Sequence, residues 1–174
     1  MPKSVCAGYV GFARSDGFMG RAIRCGEFIS GGRGLVNHMF VVDEVNSLGD
    51  IFVIQAEIKG VTRGEQLTGE YVILKPPPSV NLNRVLKFAR RQVGLEYGVL
   101  TIVAIALDII LWDWVPSFRG ARKSSWICSA LGAESARFGG WLHDFIDIYN
   151  VTPQQVMEAM LQSGWEIVAD TIHP

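Results

Sequence analysis

A chain of 174 residues, 49% hydrophobic and 19% charged, has the size and composition of one domain (residues 1–174) with a substantial core. The 16 Lys and Arg against 17 Asp and Glu leave a formal net charge of -1. That balance provides no basic stripe for neutralising phosphates, and it argues against nucleic acid or a charged membrane surface as partner.

In chain order, the first residues, MPKSVCAGYVGFARS, carry a lysine but no apolar stretch of about 7–15 residues behind it. The expectation is therefore cytoplasmic synthesis without a secretory signal, in a reducing compartment. SVCAGYVGFA (4–13) reads as a first strand, and GFMGRAIRCGEF (17–28) as a short amphipathic helix turning Phe18, Ile23 and Phe28 inward. Gly31, Gly32 and Gly34 make a loop that lacks the spacing of a phosphate cradle. NHMFVVDE (37–44) and DIFVIQAEI (50–58) are β-branched, apolar runs around the turn-like NSLG and predict an antiparallel hairpin. EYVILKPPP (70–78) predicts a strand halted by prolines. In NLNRVLKFARRQVG (81–94) the apolar positions 82, 85, 86, 89 and 93 follow the 3.6-residue period of a helix, capped by Asn81 and closed by Gly94.

YGVLTIVAIALDIILWDW (97–114) is the most apolar stretch, but Asp108 interrupts it before the roughly 18–20 uncharged residues that a bilayer core needs. It predicts a buried helix and no integral membrane span. VTPQQVMEAMLQSG (151–164) has Thr152 as N-cap, Pro153 at N1, Gln155 at N3 and Gly164 beyond the end, all signals of a bounded helix. WEIVADTI (165–172) reads as a closing strand. The fold class is α+β, an antiparallel sheet packed against helices.

Cys6, Cys25 and Cys128 are too few and too widely spaced for a disulfide framework. With His38, His143 and His173 they form none of the clustered spacings that zinc requires, so no metal and no cofactor is expected. Free cysteines are usually core residues, and that reading suits Cys6 and Cys25. Cys128 stands differently, in SSWICSALGAE (124–134). Ser124 or Ser125 can cap a helix running to Gly139-Gly140, which seats the thiol at the helix amino end, where free N–H groups and the dipole favour a thiolate. The base is then His38, opening an apolar strand after a glycine loop, or His143. The latter lies 15 residues on, about 22 Å along one helix, and reaches the thiol only if the chain doubles back.

Taken in order, "GRAIR", "NHMFVVD", "FVIQAEIKGV", "GLEYG", "WICSALG" and "VTPQQV" resemble the circularly permuted branch of the NlpC-type, papain-like cysteine peptidase and amidase superfamily. In that branch the histidine strand comes first and the cysteine helix late, and the match runs over more than a hundred residues. The resemblance implies a permuted papain-like fold in which the cysteine-bearing helix packs on the sheet. It also implies roles: Cys128 as nucleophile, His38 as its base, and a polar residue at Gln55 orienting the imidazole, with Glu57, of the same strand parity, in reserve. Tyr97 and the Cys128 backbone N–H would bind the oxyanion or position the substrate. Relatives commonly carry glutamate where this chain has Gln55 and aspartate where it has Gly98, departures that fit a slow, specialised or inactive copy.

The implied function is cysteine-dependent hydrolysis of a peptide or other acyl substrate through a thioester, with cell-wall-type peptide amides as first choice. Export would then need a dedicated release route or carriage in a virion. Two alternatives stay open. One is a lipid or ester acyl hydrolase or acyltransferase of the same fold, suggested by the apolar 99–112 segment. The other is a decayed binding or structural module held by assembly partner proteins, as in a phage virion. A serine elbow of the form G-x-S-x-G is absent. Asp144 and Asp147 suit a solvated helix face better than a glycosidase pair.

Overall fold

The computed structural model of the chain describes residues 4–14, 35–57, 59–97, 125–141 and 151–172. Its centre is the pair of apolar runs read as a hairpin, β2 (His38–Val45) and β3 (Ile51–Glu57), which pair antiparallel. Their turn is closed by Asn46, whose Oδ1 accepts from the N–H groups of Leu48 and Asp50 at 2.9 Å each. The tip then reverses at Gly49, with φ +88°. β1 (Val10–Arg14) lies beside β2, and β5 (Glu70–Lys75) beside β1. β4 (Gly60–Gln66) and β8 (Glu166–Asp170) form the edges, giving the antiparallel order β4-β3-β2-β1-β5-β8.

The central strands are apolar on both faces because both faces are covered. Val10, Phe12, Met39, Val41, Ile54, Ala56, Val72 and Leu74 enter one cluster, together with residues of the helices. Tyr9, Phe40, Val42, Ile51, Val53 and Ile73 form a second cluster on the alternate parity. That double burial explains why MFVV and FVI read as continuous apolar runs rather than an alternation.

Three helices are described. α1 (Leu82–Arg91) starts where Asn81 accepts from the N–H of Arg84 at 3.1 Å, and it buries Val85 and Ala89. α2 (Cys128–Phe138) packs against β2, β3 and α1. α3 (Pro153–Gln162) carries the expected capping box: Thr152 caps Gln155, and the Gln155 side chain returns to the Thr152 N–H at 2.9 Å. Trp141 and Trp165 meet edge to face at 6.2 Å where α3 gives way to β8. A short parallel pair joins β6 (Glu96–Tyr97) to β7 (Ser125–Trp126).

The α+β class and the helix-covered antiparallel sheet follow the sequence pattern, with several corrections. The first strand begins at Val10, not Ser4, because Gly8 turns the chain with φ +86°. Cys6 in that turn is exposed rather than packed in the core. The closing strand is confined to Glu166–Asp170, whereas the strand expected over EYVILKPPP is halted by its prolines as the sequence implied, ending at Lys75. The cap of α2 is Ile127, in extended conformation and without a side-chain hydrogen bond, while Ser125 belongs to β7. β4 has no counterpart in the sequence reading, since GVTRGEQ is too polar and glycine-rich to show a strand pattern. The helix expected over 17–28 and, from residue 98 on, that expected over 97–114 lie outside the described residues, while Tyr97 itself is in β6 rather than a helix. Cys25, Gly98, His143, Asp144, Asp147, His173 and Ser124 also lie outside them. Among the described residues no helix is long and apolar enough to cross a membrane.

Candidate active site

The sequence CSALGAESARF makes α2 a helix of small residues, and Cys128, Ser129, Ala130, Leu131, Gly132, Ala133, Ser135 and Ala136 are all buried. Small side chains allow close approach. A Cβ on Gly132 would stand 2.5 Å from Cε of Met39, so the Met39 side chain of β2 fills the space against the helix at that point. At the far end a Cβ on Gly139 would stand 2.4 Å from Val85, and the Gly139 carbonyl accepts from the Asn81 N–H at 2.8 Å. The amino end of α2 is fixed by the backbone too. The Val61 N–H donates to the Leu95 carbonyl at 2.9 Å, and Tyr97 in β6 is in register with Trp126 in β7, two residues before Cys128.

These contacts deliver the Cys128 thiol to His38, the first residue of β2. The imidazole acts on the thiol by hydrogen bonding and by charge, and the backbone N–H groups of Met39 and Ser129 also favour the thiolate. Burial pushes the Cys128 thiol up, but the imidazole, through its hydrogen bond and its charge, and the two backbone N–H groups outweigh it. The net shift is below the ordinary value of 9.0. Burial likewise pulls His38 down. Cys128, then the Gln55 hydrogen bond and the Glu57 charge, carry it above 6.5. Opposite shifts in a contacting pair favour thiolate and imidazolium.

Gln55 lies on β3, and its Oε1 is 2.9 Å from Nε2 of His38. With Nε2 as the donor in that bond, the ring's other nitrogen, Nδ1, is left for the thiol. Cys128, His38 and Gln55 therefore form the chain that sequence reasoning assembled from three distant segments. Glu57 shares the face of Gln55 as parity required, but it accepts from Gln55 Nε2 at 2.9 Å and stands behind the amide rather than on the imidazole. The backbone of Tyr97 is beside the approach to Cys128, while its side chain lies outside the described part of the structure.

Two residues of this neighbourhood were not found by sequence reasoning. Glu65 on β4 accepts from Gln55 Nε2 at 2.8 Å, and Lys59 in the β3–β4 turn pairs with Glu65 and, at 3.4 Å, with Glu57. Gly64 was the only available signal. It has φ +83° and is the extra residue where the β3–β4 register shifts. Helix geometry also leaves the N–H groups of Cys128, Ser129 and Ala130 without an intrahelical acceptor, so donors are gathered around the sulfur. Among the described residues no group of three or more His, Cys, Asp or Glu stands together as a metal site.

No known family model matches the chain, and no curated protein does. Among solved structures it is similar to the metalloprotein YiiX of Escherichia coli O157:H7, a DUF1105 protein, with a TM-score of 0.60 and 14% identity over 97% of this chain and 98% of that one. The two share a fold along nearly their whole lengths. The description as a metalloprotein belongs to that neighbour.

Proposed function

We propose that the chain is a cysteine-dependent acyl hydrolase with a permuted papain-like fold, in which Cys128 is the nucleophile, His38 the general base and acid, and Gln55 the residue that orients the ring. One observation carries the reading: the buried thiol that opens a helix is coupled to an imidazole, and that imidazole's Nε2 is held by a side-chain oxygen at 2.9 Å. The likeness to a solved structure supports the fold alone.

In this reading the Cys128 thiolate attacks the acyl carbon, and the developing oxyanion takes hydrogen bonds from the Cys128 N–H and from the Tyr97 hydroxyl. The C–N or C–O bond breaks as the His38 imidazolium gives its proton to the leaving amine or alkoxide, leaving a thioester on Cys128. Water then loses a proton to neutral His38 and attacks the thioester. The acid departs, the thiolate is restored and the imidazolium is re-formed. Cell-wall-type peptide amides are the substrate class that the sequence resemblance favours.

The test is the rate of Cys128 alkylation by iodoacetamide between about pH 5 and pH 9, read by peptide mass spectrometry in the wild type and in His38→Ala. Reaction follows the thiolate fraction, so the wild type is expected to react well below the ordinary value of 9.0. In His38→Ala the dominant lowering influence is gone and burial remains, so the profile moves up in pH. Wild-type alkylation that titrates ordinarily and ignores His38 refutes the proposal.

A further inference from the structure

Gln55 is neutral, and by itself it stabilises an imidazolium less than a carboxylate would. Its amide is not by itself, however. A primary amide offers two N–H donors and one acceptor oxygen. Here both donors go to carboxylates, Glu57 Oε1 at 2.9 Å and Glu65 Oε2 at 2.8 Å, while the oxygen faces His38 Nε2 at 2.9 Å. A flipped amide would aim its oxygen at two carboxylates and its NH2 at the ring, so only one orientation is compatible with the surroundings. That orientation admits only an Nε2–H on His38 and reserves Nδ1 for Cys128.

The carboxylates also add charge. Two N–H···O⁻ bonds polarise the amide and strengthen its oxygen as an acceptor. Glu57 and Glu65 together carry two negative charges and Lys59 returns one positive, so the group behind Gln55 has the net charge of a single carboxylate. Lys59 holds the Glu65 carboxyl below its usual range against the opposing effect of burial, which keeps it ionised as an acceptor.

The backbone builds this arrangement. Thr62 is in register with Gln55 and Arg63 with Ile54, but Glu65, not Gly64, is opposite Val53. Under strict alternation Glu65 would share the face of Arg63, which pairs with Asp43 at 2.6 Å on the helix side of the sheet. The extra residue at Gly64, in a conformation with φ +83° that favours glycine, turns Glu65 onto the face of Gln55.

We infer that Glu57 and Glu65 are positioning residues which act through the Gln55 amide, locking its oxygen on His38 and supplying the negative charge that a glutamine at this position lacks. The inference rests on the reading of Cys128 and His38 as a reactive pair. The groups facing the ring are Cys128 from α2 and Gln55 from β3, with Glu57 from β3, Glu65 from β4 and Lys59 from the turn behind the amide.

The experiment measures the pH profile of Cys128 alkylation in wild type, Glu57→Gln, Glu65→Gln, the double variant, Gln55→Glu, and Gln55→Glu combined with both glutamines. Thermal melts check folding. Both glutamates are about one-third exposed (35% and 36%), so the isosteric changes leave the core intact. The double variant is expected to react roughly 10-fold more slowly than wild type on the acid side of the profile, where rate follows thiolate fraction. Gln55→Glu alone sets three carboxylates against one lysine and is expected to lose reactivity as well. In the triple variant a single carboxylate faces two amides, and reactivity returns toward wild type. A shifted wild-type profile that the double variant leaves unchanged overturns the inference while the Cys128–His38 pair stands. An ordinary wild-type profile, indifferent to His38, removes the pair and the inference with it.

Discussion

Gly132→Ala tests how the thiol is positioned, because Gly132 is one helical turn after Cys128 and packs closely against the Met39 side chain of β2. The new methyl would stand 2.5 Å from Cε, 2.6 Å from Sδ and 2.8 Å from Cγ of Met39. Carbon atoms pack best at about 3.5–4.0 Å, so the contact is short by roughly 1 Å. Met39 is fully buried and has no solvent into which to retreat. Overpacking of this kind costs about 1–3 kcal/mol, against a gain of about 1 kcal/mol from replacing a helical glycine with alanine. The expected net loss is therefore about 1 kcal/mol, read as a lower midpoint in urea at an unchanged slope. If α2 instead moves away from β2, the thiol leaves the imidazole and the Met39 N–H together, and the alkylation profile shifts upward in pH. The stability loss and the altered profile should both shrink in Gly132→Ala with Met39→Ala, a double-mutant cycle with positive coupling. A stabilisation of about 1 kcal/mol with an unaltered thiol profile, the behaviour of an open helix position, would refute the claim that this contact sets the geometry of Cys128.

Gly11→Ala addresses the opposite face, where the Phe40 ring lies over Gly11 and a Cβ would be 2.1 Å from its Cζ. With Phe40 1% exposed, the ring must be displaced, and a loss of about 2–3 kcal/mol is expected in urea denaturation; an unchanged midpoint would contradict the packing. Asp43, 3% exposed, accepts from Arg63 Nε and from Arg90 Nε at 2.6 Å each and ties β2 to β4 and α1. Asp43→Asn is expected to cost about 2 kcal/mol, moderated because both guanidinium groups are half-exposed. The Cys128 alkylation profile should stay as in wild type, since this clamp is on the other face of β4 from Glu65, and a profile shift as large as that of Glu65→Gln would show that the two faces are not independent.

The elements legible in the sequence were those whose local signals agree with their tertiary role. The hairpin, the Asn81-capped helix and the Thr152–Gln155 capping box each carry turn or cap chemistry within a few residues of an apolar pattern. Ile127 as cap was not legible, because the start of α2 is imposed by the pairing of β6 with β7 and by packing rather than by a polar side chain. β4 was hidden for a related reason. As an edge strand it carries polar residues on its exposed positions, and the bulge at Gly64 breaks the two-residue period that would reveal it. Cys128, His38 and Gln55 were found through motif order. Glu65 could not be, since counting from Thr62 by twos places it on the wrong face.

That displaced glutamate bears on how Gln55 should be weighed in the proposed Cys128–His38–Gln55 group. Read as a single residue, Gln55 in place of a carboxylate suggests a weakened site. Electrostatic interaction falls only inversely with distance, so a carboxylate moved from about 4 Å to about 6 Å from the ring keeps about two thirds of its effect at a given dielectric. Glu57 and Glu65 are each one hydrogen bond behind Gln55, and Lys59 cancels one of the two charges. Partial exposure of the glutamates screens part of what remains, yet the Glu57 charge still acts to raise His38. The amide meanwhile gives the ring a fixed acceptor that cannot itself take up its proton. The unit to compare with a carboxylate is therefore the group Gln55, Glu57, Glu65 and Lys59, which carries the net charge of one carboxylate and turns a fixed acceptor oxygen to the ring.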